Sequence, residues 1–293
     1  MQPLIIEARV NEYSSRRRNP HVPWTPDEIA RDALACREAG ASIVHFHARH
    51  TTGAPSHDVH HYADAVARIH DACDILVHPT LGAFTVDGSA HQRVEHVMTM
   101  ARDPRTRPDF FPMDMGSTNV DLYDAARRRF RTSDSVYCNS TATLQHFAAC
   151  SQQSNLKPVL ACWNVGFTRL ALAFADSGLL DQPLFVEFVL SDGALLAGHP
   201  GTEAGLNAHL AFLPAERGVE WSACRIGGDL LDLTDAIVAR GGHVAIGLGD
   251  HHYAEHGAPT NAELVARVVE TGRRHGRQPA SPAQVREMLA MTP

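Results

Sequence analysis

The chain has 293 residues, 44% of them hydrophobic and 20% charged, with 26 Lys+Arg against 33 Asp+Glu and a formal charge of -7. No stretch approaches the roughly 18 apolar residues of a membrane span, and the start of the chain lacks the basic, apolar and small-residue segments of an export signal; the expectation is a cytoplasmic protein with no membrane partner. The negative balance argues against general nucleic-acid binding, and the length suits a single α/β barrel domain over residues 1–293.

Short apolar runs rich in β-branched residues alternate with stretches of helical period from end to end, the rhythm of a parallel sheet. Strands are predicted at Leu4–Val10, Ser42–Ala48, Ile75–Pro79, Phe110–Met115, Pro158–Trp163, Leu184–Leu190, Trp221–Ile226 and His243–Leu248. Eight runs predict a closed (β/α)8 TIM barrel, while Ser135–Cys138 is a ninth candidate that is either an extra turn or a flaw in the count. Thr25-Pro26-Asp27-Glu28 is a capping box with proline at the first helical position; Ile29, Ala33 and Leu34 follow on one face, and Gly40 offers a stop. Thr260-Asn261-Ala262-Glu263 and Ser281-Pro282-Ala283-Gln284 open two C-terminal helices in the same way. The six cysteines lie far apart without a CxxC pair, which speaks against disulfides and a cysteine zinc site. Lys157 is the only lysine, so imine chemistry would have to rest on it, and the runs Arg16–Arg18 and Arg127–Arg129 are of a kind that meets phosphate.

Barrel sites are assembled where strands end and βα loops begin. On the second strand Val44, Phe46 and Ala48 alternate with His45, His47 and Arg49, which puts the apolar row toward the helices and the polar row in the lumen. Two imidazoles two residues apart point the same way and can both reach one divalent ion at about 2.0–2.1 Å. In a chain with 19 histidines a hydrogen-bonded pair is the plainer alternative, and His50, His57, His60 and His61 read as a solvated loop or helix. Glu12, after the first strand, is a candidate acid, base or ligand anchor; His78-Pro79-Thr80-Leu81-Gly82 and Asp114-Met115-Gly116-Ser117-Thr118-Asn119 suit loops around a polar ligand or plain tight turns.

Together these pieces resemble the β-keto acid cleavage enzyme family. The resemblance rests on Glu12, on Asn19-Pro20-His21-Val22-Pro23-Trp24-Thr25-Pro26-Asp27-Glu28-Ile29, on Ala39 through Arg49, on Pro79-Thr80-Leu81-Gly82 and Gly116-Ser117-Thr118-Asn119, and on Gly241-Gly242-His243-Val244 and Thr260 through Val265. It implies an oligomeric barrel, a homodimer or homotetramer, that binds Zn2+ and reacts a β-keto acid with acetyl-CoA to give acetoacetate and a new CoA thioester. It further implies His45 and His47 as zinc ligands, Glu12 near the substrate, Thr80 as a hydroxyl donor and Asp250 as a catalytic carboxylate. Gly82, Asp114, Ser117, Asn119 and Arg225 complete the expected substrate contacts.

The last strand departs from the family pattern, because Ala245 stands where the family has an arginine and Gly249 where it has a ligand glutamate. The first strand offers a repair. Glu7 and Arg9 sit among apolar neighbours on a common face, and in a closed barrel the first and last strands are adjacent, so Glu7 is expected as third zinc ligand and Arg9 as the displaced catalytic cation. His251, His252, His78 and Glu187 are alternative ligands, and Arg225 an alternative cation. The expected chemistry is metal-assisted carbon–carbon cleavage, with Asp250 or Glu12 moving the proton and an arginine holding the oxyanion. Two other readings stay open: a zinc hydrolase of the amidohydrolase type, and a degenerate barrel that binds a metabolite without turnover. Trp163, Phe167 and Glu187 are candidate pocket residues.

Overall fold

A computed structural model describes residues 1–81, 88–214 and 218–291. In chain order it runs β1 (Ile6–Arg9), α1 (Pro26–Ala39), β2 (Ile43–Phe46), α2 (Val59–Ala72), β3 (Leu76–Pro79), α3 (Ala90–Met100) and β4 (Phe110–Asp114). Four two-residue strands follow, β5 (Thr118–Asn119), β6 (Tyr123–Asp124), β7 (Arg129–Phe130) and β8 (Val136–Tyr137). Then come α4 (Thr141–Ser154), β9 (Lys157–Cys162), α5 (Val165–Asp176), β10 (Leu184–Ser191), α6 (Glu203–Leu210), β11 (Val219–Ile226), α7 (Leu231–Ala239), β12 (His243–Ile246), α8 (Asn261–Arg274) and α9 (Pro282–Met288).

Eight of these strands form one parallel sheet in the order β3-β2-β1-β12-β11-β10-β9-β4. The ring is nearly closed at its ends: Asp109, just before β4, donates its N–H to Val77 O at 2.9 Å, and its carboxylate accepts from Val77 N at 2.7 Å. The predicted TIM barrel is therefore the fold. The ninth candidate strand is real but leaves the count intact, because β8 pairs antiparallel with β5 in a separate ribbon, as β6 does with β7. Several strands are shorter than the apolar runs predicted: Val10 and Ala48 stay fully or nearly fully buried beyond their ladders, so hydrophobicity outlasts strand pairing.

Local chemistry sets the helices. Thr25, Thr260 and Ser281 each make the expected capping box, and Gly40 ends α1 at φ 119°, a left-handed conformation that suits glycine. On α8, Leu264, Val265, Val268 and Val269 form the face packed on the barrel, each burial contributing roughly 1.5–3 kcal/mol. Val44, Phe46 and Ala48 join that helix-facing core, as their alternation required.

The lumen is stacked in layers because side chains two residues apart on a strand share a face. The lowest layer is apolar: Ile5, Ile43, Leu76, Phe110, Val159 and Phe185 cluster with Val285 and Leu289 from the C-terminal segment. That segment is tied on by Ala280 N donating to Leu4 O at 2.8 Å and by Arg277 donating to Gly242 O at 2.6 Å. Two residues further along the same strands stand Glu7, His45, His78 and Glu187, all buried. Among the described residues no helix is long and apolar enough to cross a membrane.

Candidate active site

The site begins with the loop between β1 and α1. Its far end is pinned to the capping box, where Glu28 accepts from Thr25 N and Trp24 N at 2.9 Å each and from Arg16 at 2.6 Å. Its near end is pinned to β2 and the chain that follows. Asn11 donates to His47 O at 2.9 Å and accepts from His47 N at 2.8 Å, and Arg49 donates to Asn11 O at 2.6 Å, Ser14 O at 2.7 Å and Gly53 O at 3.3 Å, and also to Glu12 O. Held from both sides, Glu12 adopts φ 32°, a conformation a residue with a side chain rarely takes and one that is kept where the surroundings impose it.

This backbone sends the Glu12 carboxylate to His45 of β2 and to His47 just beyond its end. His45 Nε2 lies 2.7 Å from one oxygen, and His47 Nε2 meets the other. Gly249 makes room for it, since a Cβ there would collide with Glu12 Cγ.

Protonation exposes what this arrangement lacks. His45 Nδ1 is 2.9 Å from His78 O, and a carbonyl can only accept, so Nδ1 carries the proton. Burial drives the His45 pKa down to about 4 despite the neighbouring Glu12, leaving Nε2 as a lone pair. Burial pushes the Glu12 carboxyl up, but His47 and Arg9 outweigh it and hold it well below the usual carboxylate range. A lone pair and an ionised oxygen 2.7 Å apart repel unless a cation lies between them. Two imidazoles and a carboxylate are a donor set of the type that divalent zinc takes, and their ligating atoms all lie within 4.8 Å of one another.

Arg9 is the hub of the next ring of charge. It donates to Asp250 at 2.8 Å and Glu187 at 3.1 Å, pairs with Glu12 at 2.8 Å, and stands 3.6 Å from Glu7. Burial works against its charge, but Asp250, Glu187 and Glu12 override that and hold the guanidinium protonated. The carboxylates divide by surroundings: burial takes Asp250 up to about 7 and Glu187 well above its ordinary value, both against the pull of Arg9. Glu7 is also pushed up by burial, yet His78, His45 and Arg9 bring it below its ordinary value. Glu7 accepts from His78 Nδ1 at 3.1 Å, and Glu7, His45 and His78 form a second possible ligand group that shares His45 with the first.

A cavity of about 200 Å³ opens above these groups, lined by Arg9, Glu12, His45, His47, Thr80, Asp114 and Asp250 among others. Asp114 accepts from Tyr137 Oη and Trp163 Nε1, each at 2.6 Å, and burial raises its pKa against those bonds. Ser117 and Asn119 fall outside the lining, in or next to β5, where Ser117 Oγ accepts from Asn139 N at 2.8 Å. Arg225 is engaged by Asp192 at 2.6 Å, and Gly82 lies outside the described residues. His251 and His252 group with Glu255 rather than with His45. Lys157 starts β9 and faces a larger hollow, about 920 Å³, at the opposite end of the barrel, so no lysine among the described residues serves the site. The sequence reading missed Tyr13, whose ring stacks edge-on against His47 at 4.9 Å, and Tyr137, whose signal was its place in the ninth candidate strand.

A family model described as beta-keto acid cleavage enzyme matches residues 3–291. The chain is 26% identical to a 3-keto-5-aminohexanoate cleavage enzyme of Fusobacterium nucleatum, over 99% of each chain. It is 28% identical to a 3-dehydrocarnitine:acetyl-CoA trimethylamine transferase of Rhizobium meliloti, over 94% of this chain and 92% of the relative. In structure it resembles the apo form of ObcA with a TM-score of 0.73 at 16% identity, covering 93% of this chain and 66% of that one, a likeness of fold.

Proposed function

The chain belongs to the beta-keto acid cleavage enzyme family and is an enzyme of β-keto acid cleavage, and from that premise we propose that it exchanges acyl groups with acetyl-CoA around a zinc ion held by His45, His47 and Glu12. In the reaction the bond between the keto carbon and the methylene of the β-keto acid breaks. The methylene is acylated by the acetyl group, giving acetoacetate, and the CoA sulfur takes the released acyl group as a new thioester. The acetyl-CoA part of this reading draws on the name of the Rhizobium relative, and the metal part on the lone pair of His45 facing the ionised Glu12.

Zinc bound there would supply Lewis-acid polarisation of the substrate's keto and carboxylate oxygens. The chain's own groups do the rest. Glu12 takes the ligand position in preference to Glu7, because it alone reaches both His45 and His47. Asp250, with a pKa of about 7, is suited to take a proton and return it near neutrality. Arg9 stays protonated and places fixed positive charge where an oxyanion develops, while Thr80 offers a hydroxyl from the wall. Asp114, held by Tyr137 and Trp163, closes the wall beyond. On the family resemblance the enzyme is further read as a cytoplasmic homo-oligomer.

The test is mass spectrometry of CoA thioesters after incubation with acetyl-CoA and a panel of β-keto acids, with and without a chelator. A new thioester together with acetoacetate, lost on chelation and restored by zinc, is expected. Turnover that survives complete metal removal would overturn the metal reading, and no new thioester from any member of a broad panel would overturn the acyl exchange.

A further inference from the structure

We propose that the arginine-tipped ribbon β6–β7 is the phosphate-binding arm for the nucleotide end of acetyl-CoA. This rests on the acyl-exchange reading above and gives a role to the arginine run that the chemistry at the metal leaves unused.

The ribbon lies in the long connection between β4 and α4. Between Tyr123 and Arg131 it carries Arg127, Arg128, Arg129 and Arg131, all exposed, against one acidic residue, Asp124. Asp124 accepts from the Arg127 side chain at 2.9 Å and from its backbone N–H at 3.0 Å, which shapes the turn. Among the described residues Arg128 and Arg129 enter no salt bridge. In a chain of net charge -7 such a concentration of guanidinium groups is set against the overall balance. Arginine is the side chain best matched to phosphate, because its planar fork makes paired charge-assisted bonds.

Placement ties the patch to the site. Tyr123 N donates to Ala194 O at 2.8 Å, and Leu122 bridges to Leu195, which lines the cavity. Arg129 pairs opposite Asp124, two residues beyond Leu122 or roughly 7 Å at strand rise, and Arg127 and Arg128 lie in the turn beyond it. The pantetheine arm of CoA spans about thirteen bonds from sulfur to the first phosphorus, roughly 16 Å at ordinary bond lengths and angles. The arm is longer than this run, so one that leaves the cavity past Leu195 carries its phosphates into reach of the arginines. Tyr123 and Phe130 pack ring to ring at 5.2 Å and stiffen the ribbon, while Phe130, 58% exposed, presents an aromatic face on which an adenine can stack.

The test compares the parent with a triple variant, Arg127→Ala, Arg128→Ala and Arg129→Ala, using acetyl-CoA and acetyl-pantetheine, which has the arm without the phosphates. In the parent, KM for acetyl-CoA should lie well below that for acetyl-pantetheine and should rise with salt. The variant should raise KM for acetyl-CoA by roughly tenfold or more, the loss of at least one charge-assisted contact, and leave KM for acetyl-pantetheine where it was. Equal KM values for acetyl-CoA in parent and variant would overturn the assignment. So would a variant that changes its oligomeric state on gel filtration without changing its response to the phosphates, which would make the ribbon a subunit contact. Calorimetry with CoA alone separates this proposal from the reaction itself. Should the parent turn over no β-keto acid, tighter CoA binding by parent than by variant still supports the ribbon, and equal or absent binding by both contradicts it.

Discussion

Between Ile5 and Arg9 one strand passes through two kinds of interior. At Ile5 the lumen is an apolar plug, with Phe110 and Phe185 across the barrel and Val285 and Leu289 from below. Two residues on, Glu7, His45, His78 and Glu187 fill the same cross-section, and Arg9 above them answers four carboxylates. The lower layer is held by shape and asks only that its volume be filled. The upper layer is held by charge, and each member is costly unless the others are present. The same backbone ladder supports both, so the barrel carries a charged layer on top of an apolar one.

Arg9→Met attacks that contrast hardest. It leaves Glu7, Glu12, Glu187 and Asp250 without their shared counter-charge and should cost about 3–5 kcal/mol in denaturant unfolding near neutral pH. Because protonation relieves the stranded carboxylates, the deficit should shrink as pH falls; a deficit independent of pH would mean that Arg9 acts through packing. Leu76→Ala, one layer down, should cost about 2–5 kcal/mol at every pH and leave zinc content and turnover per folded molecule unchanged. If it also emptied the metal site, the layers would not be separable.

Arg49→Lys sharpens the comparison from the loop side. Lysine cannot reach the carbonyls of Asn11, Glu12, Ser14 and Gly53 at once, so Glu12 should lose its enforced backbone, and zinc affinity should fall about 10–100-fold with little change in thermal midpoint. An unchanged affinity in a chelator competition would separate the clamp from the site. The smallest effect is on pH dependence. If Asp250 accepts the proton, kcat/KM should climb about tenfold per pH unit below 7 and level off above it, since the ionised form is the active base, and Asp250→Asn should flatten the climb.

How much could be read beforehand follows the range of the interaction involved. Three of the four capping boxes among the described residues, at Thr25, Thr260 and Ser281, were legible from residues three apart, while the one at Ser89 and Gln92 was not picked out. The shared direction of His45 and His47 follows from strand alternation, and the place of Arg9 among lumen carboxylates from the adjacency of β1 and β12, where Glu7 stands opposite Ala245. What stayed hidden is the reach of Glu12. It depends on a positive φ enforced by Arg49 from another strand end and on space left by Gly249, more than two hundred residues away in sequence. Glu7 was expected as the ligand because the first strand lies beside the last, and the structure sets it 3.1 Å from His78 in a second possible ligand group that shares His45. Strand ends were overrun for a related reason, since burial by overlying loops looks the same in sequence as burial in a sheet.

The most direct measurement is metal content per purified chain for the parent and for His45→Ala, Glu12→Gln and Glu7→Gln. Near-stoichiometric zinc is expected in the parent and in Glu7→Gln, with loss in His45→Ala and Glu12→Gln. Zinc kept by Glu12→Gln but lost from Glu7→Gln, or no metal bound by the parent when zinc is supplied, would contradict the proposed His45, His47 and Glu12 site.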